Sequence, residues 1–493
     1  MDHFNPSRIG KNRIKRSNIR IVQDCILIPK NKLMHKSIFA LVFLILNLHF
    51  ISASNANVIS IKDSLAKGKV SVHARYYFMA SDNAPRLTDA HAHAFSLSLG
   101  YISPQWKGFS FGMSGSSTFH IESSSLDRLD AITQQPNRYE IGLFDIDNPA
   151  SWQPLPRLEE FYIRFNSKKL EAKWGNQLIK SPFINPQDGR MRPTLVQGLT
   201  SEWSPYKKWK IQAGLLNAIA PRSTVNWYRV GESFGKYPVG VTTTGVKSGY
   251  AGKIASDFIG FIGINSHFGK GLSIQVFDQY VDRVFNTSLV QINWDKKLNE
   301  TKPLIFQIAG QWITQQAIQF GGNDIPVNSY FDKGATSQVF GFRMGFVKTN
   351  SWNLHVNYTR ITAEGRYLMP REWGKDPMFT FMPRERNEGF GNVHAMTLVA
   401  GKELGKSGWK MEASIGHFLL PDVKNYSLNK YGIPSYAQFN FDLRYQFKGA
   451  FQGLIAQFLY VYKGRTGETY GNSRYVLNKV DMSLFNCIVN YSF

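Results

Sequence analysis

The chain closes on Cys487-Ile488-Val489-Asn490-Tyr491-Ser492-Phe493, apolar at every second position and ending on a phenylalanine. On a strand, Phe485, Cys487, Val489, Tyr491 and Phe493 share one face. Asn486, Asn490 and Ser492 share the other, with Ile488 as the exception. One greasy face and one polar face suit a wall that has lipid on one side and water on the other. An edge strand of a water-soluble sandwich would alternate in the same way, so the preceding sequence has to decide.

Working back from the end, the same period recurs. Phe439, Phe441, Leu443, Tyr445 and Phe447 alternate with Asn440, Asp442, Arg444 and Gln446. Trp352, Leu354, Val356 and Tyr358 alternate with Asn353, His355, Asn357 and Thr359, and Val70 to Phe78 repeats the pattern around His73 and Arg75. Eighteen such segments begin near residues 70, 92, 108, 158, 169, 198, 208, 245, 258, 271, 286, 303, 336, 351, 392, 409, 438 and 478. A weaker candidate, 453–462, carries Ile455, Leu459 and Val461 on its second face beside Gln457. Short turns such as Asn166-Ser167-Lys168-Lys169 and Gly269-Lys270-Gly271 join some strands. Long connections at 121–157, 178–197, 218–244, 316–335 and 362–391 separate others. Short turns on one rim, long loops on the other and an even strand number predict an all-β fold. The expected architecture is a transmembrane antiparallel β-barrel of about 18 strands, with long extracellular loops, some folded into the lumen.

Composition and the N-terminal region agree. Lys36 precedes an apolar run from Ile38 to Leu46, and Ser54-Asn55-Ala56 offers a small-residue cleavage site, so residues 34–56 read as a secretory signal peptide. Residues 1–33 form a basic extension ahead of a start-like Met34, and residues 57–493 make one barrel domain. Taking off residues 1–56 removes nine Lys/Arg and two Asp/Glu, which leaves 49 against 33, a net charge of +16 on 437 residues. Such an excess points to anionic partners, and in an exported chain these are anionic solutes and lipopolysaccharide rather than nucleic acid. Only Cys487 follows the cleavage site, so no disulfide can form within the mature chain. No later stretch approaches the ~18 apolar residues of a membrane helix, yet 14% of the chain is aromatic, as alternating barrel strands require.

Three motifs carry a resemblance. They are Asn185-Pro186-Gln187-Asp188-Gly189-Arg190-Met191-Arg192-Pro193 with Gln197-Gly198; Arg371 to Thr380 running on through Pro383-Arg384-Glu385-Arg386-Asn387-Glu388-Gly389; and Asn429 to Tyr436 leading into Asn440-Phe441-Asp442-Leu443-Arg444-Tyr445. In that order they resemble the OprD-type outer-membrane porins from about residue 69 to the C-terminus. The terminal phenylalanine strand is likewise similar to the closing strand of bacterial outer-membrane barrels. The resemblance implies a bacterial outer-membrane location and passive, partly selective diffusion of amino acids, small peptides or organic acids along a track of basic residues. It implies further that Arg190 and Arg192 sit in a first constricting loop, Asp376 and Thr380 in a later one, with Arg75 and Arg444 entering the lumen from strands. Guanidinium groups suit a carboxylate because they bind it through paired hydrogen bonds and stay charged. An acid such as Asp376 beside them would suit solutes that also carry an amine. The sequence departs from the family at 453–458, where the penultimate strand lacks the inward arginines expected there.

Other chemistry finds little support. His91 and His93, with Asp89 nearby, could suggest a metal, but they share a face with Phe95 and Leu97 and read as a rim pair. Glu159, Glu171 and Glu412 read as wall residues of a wet lumen, and no nucleophile elbow, phosphate loop or zinc spacing occurs. No enzyme activity, metal or cofactor is expected, and the expected assembly is a monomer or loose trimer. The alternatives are a structural or adhesive outer-membrane barrel with functional loops and, further off, an outer-membrane enzyme. Trp174, Trp203, Trp209, Trp294, Trp312 and Trp352 are expected in the interfacial girdles.

Overall fold

A computed structural model describes residues 67–186, 190–299, 304–405 and 407–493. The basic extension 1–33 and the signal peptide 34–56 lie outside the described residues. Among the described residues, eighteen long strands each pair antiparallel with their neighbours in sequence. The first, β1 (Lys69–Asp82), pairs with the last, β19 (Met482–Ser492), and closes the sheet into a barrel with no free edge. The nineteenth strand by number, β8 (Tyr228–Arg229), is a two-residue piece laid on the end of β7 (Trp209–Ala220) within a connection. The expected antiparallel barrel of about eighteen strands is borne out.

Alternation assigns the faces. On β13 (Thr336–Lys348), Phe340, Phe342, Met344 and Phe346 lie exposed on the outside, while Ser337 and Val339 are buried on the inside. On β14 (Trp352–Ile361), Leu354 and Val356 face outward, and Asn357 and Thr359 are buried within. Exposed phenylalanines and leucines would be costly in water and are at home against lipid chains. On β19 the even-numbered residues point inward. Ile488, the exception to the pattern, packs inside the barrel with Tyr77, Met79 and Leu459. Trp203, Trp209, Trp294 and Trp352 stand at or near the short-turn ends of their strands, and Trp312 lies nearer the middle of β12 (Leu304–Ala317).

The strand count came out right although two assignments were exchanged. No strand begins at 245: residues 221–258 form one long connection, and around 245 it carries an isolated bridge from Val241 to Lys247 and left-handed backbone at Gly245 (φ 87°). The weaker candidate is a full strand, β18 (Leu454–Arg465), paired along its length with β17 (Tyr436–Gln446) and β19. Its inner face looked wrong for a wet lumen because it is not wet. Leu459 and Val461 are buried under Tyr139, Ile141, Leu143 and Phe144 of the 124–154 connection.

The apolar core therefore sits inside the barrel, at the long-loop end. Tyr367, Met369, Met378, Met382 and Phe390 of the 362–392 connection pack on inward residues of the wall such as Phe277, Ile313, Val339 and Tyr436. A third cluster joins the 221–258 and 318–335 connections through Val230, Phe234, Tyr330 and Phe331. Each fully buried aliphatic or aromatic side chain contributes about 1.5–3 kcal/mol to holding these connections down. Two glycines shape the wall where the 178–194 connection turns inward. Gly175 (φ 125°) on β5 (Leu170–Gln177) faces Gly198 (φ 157°) on β6 (Leu195–Trp203), beside a register shift at Gln197/Gly198. A side chain at 198 would start 2.1 Å from the Leu215 carbonyl oxygen, so no larger residue fits this bulge.

Candidate functional site

The connections meet in the middle of the lumen. The Asn185 backbone N–H donates to the Trp373 carbonyl at 3.1 Å, and the Asn185 side chain bonds both the carbonyl (2.9 Å) and the N–H (3.1 Å) of Lys375. Thr194 Oγ1 donates to the Glu372 carbonyl at 3.1 Å. Fully buried Trp373 donates its indole N–H to Ser233 Oγ at 2.9 Å. The connections 178–194, 221–258 and 362–392 are thus tied into one constriction.

Its upper side is a cavity of about 300 Å³. Among the described residues, the lining includes eight cationic side chains and one carboxylate, Glu385. Arg371, Lys375, Arg384 and Arg386 come from the 362–392 connection. Arg138, Arg190 and Arg222 come from three others, and Arg444 from the wall strand β17. A tight turn at Met382-Pro383-Arg384-Glu385 presents the first group, with Arg384 in left-handed backbone (φ 81°) and an isolated bridge from Met382 to Glu385. Arg384 reaches across to the barrel seam, where Nη2 donates to Tyr77 Oη at 2.5 Å and Asn486 Oδ1 at 2.9 Å.

Glu385 holds the turn in place. Its carboxylate lies 3.1 Å from Arg138 Nη2, 3.3 Å from Arg371 Nη1 and 3.5 Å from Lys463 Nζ. Burial alone would raise its pKa, but Arg138, Lys463 and Arg371 together hold it down at about 2, so it stays ionised. The departure noted at 453–458 stands, since no arginine enters the barrel there. The penultimate strand does send a cation inward, Lys463, ten residues beyond Gly453, where it is fully buried and donates to Tyr139 Oη at 2.8 Å.

The six residues singled out from sequence fall into three groups. Arg190 and Arg444 line the upper cavity: Arg190 is buried and donates to the Tyr139 carbonyl, while Arg444, half exposed, is forked onto Asp442 at 2.8 and 2.9 Å. Arg75 and Arg192 line a second cavity of about 360 Å³, with His73, Glu159 and Glu160. Arg75 points in from β1 over the ring of Tyr77. Arg192 is almost wholly buried and donates to the Phe144 carbonyl at 2.6 Å and the Leu155 carbonyl at 3.4 Å; burial, then the nearby Arg157, lower its pKa to about 9. Asp376 and Thr380 line neither cavity. Thr380 is fully buried and donates to Thr359 Oγ1 at 2.8 Å, which fastens the 362–392 connection to the wall. Asp376 is buried, and burial, opposed by Arg386, raises its pKa to about 6.

The residues missed are those of the turn, Arg384 and Arg386, together with Arg138, Arg222, Arg371, Lys375 and Lys463. The sequence did carry a signal for the turn: Pro383-Arg384-Glu385-Arg386 sets two arginines around a single acid directly after a proline. His91 and His93 lie with Phe95 on the outer face of β2 (Ala90–Ile102), where His93 Nδ1 bonds Tyr76 Oη at 2.7 Å.

A closed eighteen-strand barrel, apolar outside and narrowed within by its own long loops, is an outer-membrane porin, and its place is the outer membrane of a bacterial cell. Residues 160–360 match the family described as outer membrane porin, OprD family, and the OprD-type resemblance is thereby borne out; the 185–198 motif lies inside the matched range. Among solved structures, Pseudomonas aeruginosa OpdK, crystallised with vanillate, is similar at a TM-score of 0.66 and 12% identity, covering 87% of this chain and 99% of its own. Acinetobacter baumannii OccAB3 is similar at 0.67 and 12%, with coverages of 87% and 99%. Pseudomonas aeruginosa OccK2 (OpdF), in complex with glucuronate, gives 0.63 and 12%, with 87% and 98%. No curated protein matches the sequence.

Proposed function

We propose that this porin admits small organic acids into the periplasm by passive diffusion, drawing them through the constriction with its cationic side chains. The observation that carries the reading is the upper cavity, where eight cations face a single carboxylate that is itself held between two of them, Arg138 and Arg371, and Lys463 behind. A solute carboxylate would exchange water for guanidinium hydrogen bonds there, and the second cavity offers it further cations at Arg75 and Arg192. Several weak sites in series speed passage, where one tight site would trap the solute. Vanillate and glucuronate, held by two fold neighbours, are both carboxylates, which supports the same class of solute. Asp376, the acid expected from sequence to meet a solute amine, is buried away from both cavities, so it does not add amine preference to the anion preference. There is no reaction, and neither a metal nor a cofactor enters the mechanism.

Liposome swelling with protein purified from outer membranes tests this. Benzoate and gluconate should enter several-fold faster than lysine or a neutral sugar of similar size. Equal rates for all of them would reduce the pore to a size filter, and no swelling at all would favour a sealed barrel whose loops carry the activity.

A further inference from the structure

The upper cavity holds more positive charge than a singly charged solute can use. One carboxylate satisfies one guanidinium through a pair of hydrogen bonds. Among the described residues, eight cations line the cavity with Glu385. Asp442, paired with Arg444, Glu388, paired with Arg371, Asp376 beside Arg386 and Glu140 near Arg190 bring the neighbouring carboxylates to five, and a positive excess remains.

These cations are arranged in two banks. Arg371, Lys375, Arg384 and Arg386 stand on one connection, while Arg190 and Arg222 stand on two others. The banks are close. Burial first, then the charges of Arg222 and Arg371, press the pKa of Arg386 down to about 10. Arg222 is itself stacked 5.3 Å from the Tyr237 ring, which fixes its direction. Like charges fixed near one another by packing repel in the empty site, and an anion placed between them removes that repulsion. A volume of about 300 Å³ sits at the small end of ligand sites and limits the occupant to a compact solute.

We infer that the cavity between these two banks is a binding site for a compact anion carrying at least two anionic groups, of the diphosphate or dicarboxylate class, with one group on each bank. This rests on the anion-uptake reading above and narrows it.

The test is current block in a planar bilayer, using protein purified from outer membranes, at constant ionic strength and pH 8. Inorganic pyrophosphate and malonate are compared with benzoate, and the reversal potential is read on the same channels. The expected result is half-block by pyrophosphate and malonate at concentrations at least tenfold below that for benzoate. Arg222→Gln and, from the opposite bank, Arg384→Gln should each weaken block by pyrophosphate and malonate more than block by benzoate, narrowing this gap at least fivefold. Heat-modifiable electrophoretic mobility confirms that each variant is folded, and the two variants stand in for one another if one fails. A channel that prefers anions but is blocked equally by benzoate and the divalent probes overturns this inference and leaves the uptake reading standing. Preferential block that survives both substitutions also overturns it, because the binding would then lie elsewhere. A channel that prefers cations ends both readings together.

Discussion

Glu385 shows how one residue organises the constriction. It is buried and ionised, and it is balanced by three cations from three segments of the chain. Because its pKa is depressed, its stabilising effect is complete above the usual glutamate value and is lost only as pH falls towards about 2. Asp376 works in the opposite sense. Its folded pKa, about 6, lies above the unfolded value of 3.8, so the folded connection favours the protonated form. Hold on the 362–392 connection should therefore weaken as pH rises from about 4 through 6. The measurement is proteolytic cleavage within 362–392 for wild type relative to Asp376→Asn, which cancels the pH response of the protease itself. That ratio should grow severalfold, up to about tenfold, between pH 5 and pH 7; a ratio that stays flat would mean that Asp376 does not titrate in this window. The four arginines chosen from sequence were reachable because arginine in a loop motif or on a polar strand face is visible in one dimension, whereas Asp376 and Thr380 line neither cavity. The cavity residues Arg138 and Arg222 were not reachable, because they come from separate connections whose meeting is decided by packing.

The strands were legible wherever one face met water and the other lipid, as on β14 and β17. Period two failed where the inner face meets protein instead. β18 lost its polar face to Leu459 and Val461, because the 124–154 connection folds over it, while the 245 region alternates without pairing as a strand. An infolded loop therefore erases the signal of the wall that it covers. The same packing argument gives a prediction. Leu143 is fully buried against that inner wall, and Leu143→Ala should cost about 2–5 kcal/mol of hold on the connection. Faster proteolysis within 124–154 and a larger single-channel conductance should follow, with the barrel itself still heat-modifiable. Unchanged cleavage and conductance would show that this connection does not narrow the pore.

At the scale of the whole molecule, the barrel keeps its greasy residues outside and uses its own loops as the core, so stability and permeability depend on the same contacts. The chain is basic, a formal +23 overall, and eight cationic side chains line the upper cavity. A water-filled pore with such a lining should favour anions, and salt should screen the preference, since the Debye length falls from about 10 Å at 0.1 M to about 3 Å at 1 M. The central claim is this filter. Its most direct test is the reversal potential of the reconstituted channel across a potassium chloride gradient, at low and then high mean salt. The account predicts a potential of the sign that marks chloride preference, shrinking as salt rises. A potential of cation-preferring sign, or folded protein that passes no current, would contradict it.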